Sequence, residues 1–198
     1  AALNVLTLAV AGFALLMSLL TLASIRLPQL APVWALGTRR ADLGRLLAVH
    51  ACAFPPVVAG LHAAGAARLW PDWDGPARLA ALSAELGRLA VAQPPARFGN
   101  EAMVWGGLYA LLGSRLGNRV ILRRLAEAGE PADSAFLRPG ADDGPEWRRF
   151  LERQEAALGR GGADACRGAI EGAALVMERY LEAVERLDRA ARVGGALC

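Results

Sequence analysis

Apolar residues are arranged in two distinct ways along this chain. From Ala1 to Ile25 no side chain is charged, and Leu3, Leu8, Phe13, Leu16, Leu20 and Ile25, among others, surround the helix axis instead of striping it. As a helix this segment would measure about 38 Å, against about 30 Å of bilayer hydrocarbon. Three readings fit it. It is a transmembrane anchor, a first helix buried all round in a globular core, or a signal peptide. The last lacks a basic n-region, and Ala23-Ser24-Ile25 is a poor cleavage site. The expectation is an anchor over residues 1–26. Arg26, Arg39, Arg40 and Arg45 follow it and place the C-terminal side in the cytoplasm, as a single pass of a bacterial inner membrane. Residues 27–39 hold Pro28, Pro32 and Gly37 and read as a linker.

Beyond the linker the apolar residues recur at helical spacing. Thr38 or Asp42 could cap a helix through Leu43, Leu46, Leu47, His50 and Phe54, which Pro55-Pro56 should kink or break. Val57, Val58 and Leu61 resume the same face. Trp70 to Pro76 reads as a turn, with Pro76 suited to the first position of a helix striped by Leu79, Leu82, Leu86 and Leu89. Gln93-Pro94-Pro95 should end it. A helix from Glu101 to Ala128 follows, then a Pro-, Gly- and Asp-rich loop from 131 to 145. Trp147, Phe150 and Leu151 mark a short helix that Gly159, Gly161 and Gly162 interrupt. The last helix, Ala163 to Arg192, should turn Ile170, Ala174, Met177, Tyr180, Leu181, Val184 and Leu187 inward. No alternating strand pattern and no repeat is present, so the class is all-α, a single helical domain over 40–192 with a tail at 193–198.

The helix from Glu101 carries Gly106, Gly107, Gly113 and Gly117. Each interior glycine costs roughly 1 kcal/mol relative to alanine. Their retention implies close approach of something to the backbone, either a flat ligand or another helix.

Composition narrows the classes. The 198 residues are 55% hydrophobic, and the mean hydropathy of +0.30 is high for a wholly soluble domain. The net charge of +3 is carried by arginines interleaved with Asp and Glu, as in Glu146-Trp147-Arg148-Arg149 and Glu178-Arg179. That pattern makes solvated, salt-bridged faces and argues against nucleic acid as a partner. Cys52, Cys166 and Cys198 have no metal-ligand spacing and read as reduced thiols. No metal site is expected: Asp142-Asp143 lacks further oxygen ligands nearby, and Asp72 and Asp74 read as turn residues. Gly113-Ser114-Arg115-Leu116-Gly117 is not a nucleophile elbow.

Leu108-Tyr109-Ala110-Leu111-Leu112-Gly113-Ser114-Arg115-Leu116-Gly117-Asn118 resembles the distal-helix signature of bacterial heme oxygenases, the biliverdin-producing type associated with bacteriophytochromes. Arg40-Ala41-Asp42-Leu43 leading to His50-Ala51 looks like that family's second helix. Ala67 to Trp73 looks like its following turn. Phe136-Leu137 to Trp147-Leu151 and Cys166 to Glu182 look like its later segments. The resemblance covers residues 38–190 and implies a heme-oxygenase-like helical domain. It implies that Gly113, Ser114, Gly117 and Arg119 line a distal heme face, with Arg123 and Tyr180 as further candidates for the propionates. The family's proximal histidine belongs on the first helix, shortly before the equivalent of Leu27-Pro28, where Leu20 or Thr21 stands here. Neither replaces imidazole as a firm ligand of ferrous heme. Leu112 and Asn118 also depart from the family's usual glutamate and glycine.

His50 is then a weak candidate ligand, and His62 is the only other histidine. A lone helical histidine is more often a hydrogen-bonded core residue. The expectation is a degenerate, non-catalytic member of this family. It would be anchored through residues 1–26 to membrane lipid and to a membrane protein complex, with a photosynthetic complex as one candidate host, as an accessory subunit. No cofactor is expected, with heme the candidate if the ancestral site persists. The alternatives are a heme oxygenase converting heme to biliverdin and a carrier of heme or a bilin.

Overall fold

The computed structural model describes residues 40–87, 93–127, 129, 133–138 and 143–195. The chain divides into two units, Ala1–Thr38 and Arg39–Cys198. The segment 1–26, for which an anchor is expected, and the linker 27–39 lie outside the described residues. Among the described residues every regular element is a helix: α1 (Arg40–Ala63), α2 (Ala66–Leu69), α3 (Gly75–Leu86), α4 (Glu101–Glu127) and α5 (Asp143–Gly195). The fold is all-α, as the periodicity predicts.

The principal contact is between α4 and α5, and α1 packs across α5, α3 and α4. Glycine makes the α4–α5 crossing possible. A Cβ on Gly106 would overlap the carbonyl of Ala169 and stand 2.9 Å from the amide nitrogen of Ala173. A Cβ on Gly172 would overlap the carbonyl of Met103, and one on Gly168 would lie 2.9 Å from the Ala102 methyl. The two backbones therefore touch, with small residues from each helix at the crossing.

This crossing corrects the reading of the last helix. Ile170, Met177 and Leu181 are 53%, 51% and 61% exposed, and Ala174 is exposed with them. The buried positions are Gly168, Ala169, Gly172, Val176 and Ala183. Where backbones touch, no room remains for a large side chain, so the inward stripe is built of small residues. The more hydrophobic residues fall on the outer side. Tyr180, Val184 and Leu187 do pack inward, against a small cluster of Val49, Cys52, Ala53 and Ala183.

Two glycine and proline expectations also resolve. The expected break in the 159–162 region is a kink within one long helix, at Gly162, whose φ of 61° and ψ of −145° suit only glycine. Pro55-Pro56, by contrast, sit inside a continuous α1. A proline lacks the N–H that would bond the carbonyl four residues back. The Cys52 carbonyl orphaned by Pro56 instead accepts the Gln93 side-chain amide at 3.2 Å. The Ala96 amide donates to the Pro56 carbonyl at 2.9 Å, drawing the proline-rich segment after α3 against Gly60. Pro76 occupies the first turn of α3, as predicted, and Gly87 closes that helix with φ 71°.

The core gathers on Phe54, Leu61, Leu82, Leu108, Phe136 and Phe150, each no more than 1% exposed. Phe150 organises the aromatics at the start of α5. It stacks on Trp147 at 5.6 Å, meets Trp70 edge-on at 5.5 Å and lies 5.7 Å from Trp105. Among the described residues one helix, Leu43–Ala63, is long and apolar enough to cross a membrane, and 67% of its most apolar stretch is buried inside the structure. Its apolar character is accounted for by packing.

The glycines of α4 should separate by thermal unfolding. Gly106→Ala should destabilise by at least about 2 kcal/mol, because a methyl cannot enter between two backbones without moving a helix. Gly117 has nothing within 4 Å of a would-be Cβ, so Gly117→Ala should stabilise by up to about 1 kcal/mol through helix propensity alone. Equal effects would contradict the assignment of the crossing to Gly106.

Candidate functional site

Gly113, Ser114 and Gly117 lie along one edge of α4, as their spacing of one and four residues requires. Gly113 is half-buried, and a Cβ there would meet the Trp147 ring at 3.3 Å. Ser114 is exposed, and its hydroxyl donates back to the Leu111 carbonyl at 2.7 Å. Gly117 is exposed. Arg119 is two residues further on, about 200° around the helix from Gly117, so the structure does not bring it to the same edge. Arg123 is exposed and pairs with Glu127 at 3.6 Å.

Beside this edge, Arg115 joins three helices. Its side chain is 12% exposed and lies 3.4 Å from Asp74 at the start of α3 and 3.3 Å from Glu146 at the start of α5. Asp74 is thus a turn residue with a structural ion pair. This cluster holds the ends of α3 and α5 against the middle of α4.

His50 occupies a separate site between α1 and α5. Its Nδ1 is 2.9 Å from the Tyr180 hydroxyl. The rings of Phe136, Tyr180 and Phe54 all meet the imidazole edge-on, at 4.8, 5.1 and 6.4 Å. Phe136 comes from the segment after α4, which Glu85 of α3 fixes in place. The Glu85 carboxylate accepts the Ser134 hydroxyl at 3.0 Å and the Phe136 amide at 3.3 Å. Arg78 closes the cluster. Its guanidinium lies 4.8 Å from the Phe136 centroid and 5.6 Å from that of Phe54, and it donates to the Phe136 carbonyl at 3.3 Å.

This enclosure sets the charge states. Burial, assisted by the nearby positive charge of Arg78, pushes the His50 pKa down to about 4. Burial raises that of Tyr180, and Arg78 opposes the rise only in part. At neutral pH both rings are uncharged and share one hydrogen bond. The imidazole is held among aromatic edges with its Nδ1 engaged, the setting of a hydrogen-bonded core histidine. The sequence singled out both His50 and Tyr180, for iron and propionate roles, but it carried no signal that they meet. Arg78 was not legible as a member of the cluster: its only local mark is a place in the first turn after Pro76.

Elsewhere, His62 is exposed in the last turn of α1. Cys52 is buried and Cys166 partly buried, both as free thiols; Cys198 lies outside the described residues. Among the described residues no group of three His, Cys, Asp or Glu side chains could hold a metal ion. An open cleft of about 380 Å³ lies between the end of α1 and the chain before α4, lined by Gly60, Ala63, Ala64 and the run Pro94–Phe98. Its lining includes neither the Gly113–Gly117 edge nor His50.

The lowered His50 pKa has a definite consequence for stability. The unfolded chain takes up this proton near pH 6.5 and the folded chain near pH 4, so the unfolded state binds more protons in between. Stability contributed by neutral His50 is full above about pH 6.5 and is lost as pH falls toward 4, by roughly 3 kcal/mol. His50→Asn should flatten the pH dependence of unfolding in that window relative to wild type. An unchanged slope would contradict the enclosure of His50.

No family model, curated protein or solved structure matches the chain.

Proposed function

We propose that this protein is a membrane-anchored, heme-oxygenase-like scaffold that performs no heme chemistry and serves as an accessory subunit of a membrane complex. The observation that carries the proposal is the enclosure of His50. The resemblance implies a histidine-ligated heme, and the position expected for that histidine is taken by an uncharged residue. His50 is engaged by Tyr180 and ringed by Phe54 and Phe136, so it contributes to packing. Two further facts support the same reading. Gly106 at the start of the glycine-rich helix faces the backbone of α5, which makes helix contact a sufficient reason for that glycine. Ser114 donates its hydroxyl to the Leu111 carbonyl of its own helix, which is a sufficient structural use for that side chain. The membrane part of the proposal rests on the uncharged stretch from Ala1 to Ile25, whose length suits a bilayer.

The test uses the full chain in detergent. On titration with hemin, the absorption should remain that of hemin in detergent alone, and addition of a reductant should yield no biliverdin. A sharp Soret band of histidine-ligated heme would contradict the proposal. With biliverdin formation it would make the protein an enzyme, and without it a heme carrier. Carbonate washing of membranes should leave the protein in the pellet; release into the supernatant would remove the anchor.

A further inference from the structure

The outward face of α5 beyond its kink has the pattern of an unpaired coiled-coil seam. Arg167, Ile170, Ala174, Met177 and Leu181 follow one another at alternating steps of three and four residues. The three large apolar residues among them are all more than half exposed. They form one continuous stripe, where single scattered apolar residues would need no explanation. The seam is also polarised. Arg167 stands at its N-terminal end with a side chain 68% exposed. Glu185, one turn beyond Leu181, stands at its C-terminal end with a side chain 69% exposed. Glu178 flanks the same end and is exposed.

We propose that this seam is the interface of a homodimer, in which α5 pairs antiparallel with α5 of a second copy about a two-fold axis near residues 175 and 176. The pattern is self-complementary about that point. Ile170 falls opposite Leu181 of the other copy, and the small Ala174 opposite the long Met177. Arg167 then reaches Glu185 of the other copy at both ends of the seam. A parallel pairing would set Arg167 against Arg167 and Glu185 against Glu185, so the charges select the antiparallel arrangement. A two-fold interface needs each patch to complement itself, and a seam positive at one end, negative at the other and apolar between meets that condition. It spans about 27 Å of helix from Arg167 to Glu185. The internal partners of these two charges, Asp164 for Arg167 and Arg189 for Glu185, are exposed pairs that contribute little and can be re-formed or exchanged.

The test is the mass of the full chain in detergent as a function of concentration, by light scattering or sedimentation. The wild type should be a dimer. Leu181→Arg and Arg167→Glu should each weaken dimerisation at least about tenfold, the first by burying a charge in the seam and the second by opposing Glu185 of the other copy. Both positions are exposed, so the helical content and melting of the monomer should not change. The double variant Arg167→Glu with Glu185→Arg should restore the dimer. A wild type that stays monomeric would overturn the proposal and leave the seam to lipid or to a different protein. A dimer indifferent to Leu181→Arg would place the contact elsewhere, and failure of the charge swap to restore association would overturn the antiparallel pairing.

Discussion

The backbone contact between α4 and α5 is the constraint on which the rest of this fold depends. Two helices can touch main chain to main chain only where side chains are absent, and Gly106 and Gly172 supply that from opposite sides. Once the helices are this close, the inner face of α5 must be small. That is why Gly168, Ala169 and Gly172 are the buried positions at the crossing while Ile170 faces outward. The same closeness brings the Gln154 side chain of α5 to the carbonyl of Trp105 at 3.2 Å. It also sets Trp105 beside Phe150, around which the aromatic core assembles. The penalty that four glycines impose on one helix is thus offset in part by the packing that Gly106 and Gly107 permit. Gly107 does this against Leu61 and Phe98, and Gly106 against α5 itself.

How far the sequence could be read depended on whether each feature was local. Helical periodicity placed α4 within a residue of its observed end and located Pro76 at the start of α3, because both follow from contacts within one or two turns. The 159–162 interruption was legible because ψ at Gly162 excludes other residues. Pro55-Pro56 misled for a non-local reason: the carbonyl that a proline frees is capped by Gln93, 41 residues away. In the last helix Tyr180, Val184 and Leu187 pack inward as their spacing predicts, but Ile170, Ala174, Met177 and Leu181 face outward, because hydrophobicity predicts which residues leave water, not which face must stay thin. The candidate site divides in the same way. The shared edge of Gly113, Ser114 and Gly117 is a matter of helical spacing and was legible. The pairing of His50 with Tyr180 spans 130 residues, and no local pattern announces it.

Two polar clusters among the described residues do related physical work. Arg115 ties α3 and α5 to α4 with charges that remain partly hydrated. His50 and Tyr180 tie α1 to α5 with neutral groups, as the low dielectric of their surroundings demands. Arg78 stabilises the second cluster through ring faces and a carbonyl, which keeps a positive charge beside the imidazole and helps hold it neutral. A histidine used in this way is a component of packing.

A double-mutant cycle on Gly106→Ala and Gly172→Ala tests that account most directly, because both methyls would enter the same crossing. If the α4–α5 backbone contact is what these glycines serve, either methyl alone forces the helices apart and the second then adds little. The double variant should fall short of the sum of the singles by at least about 1 kcal/mol. Costs that add without coupling would show that the two glycines do not share a contact, and would contradict the central role given to the crossing.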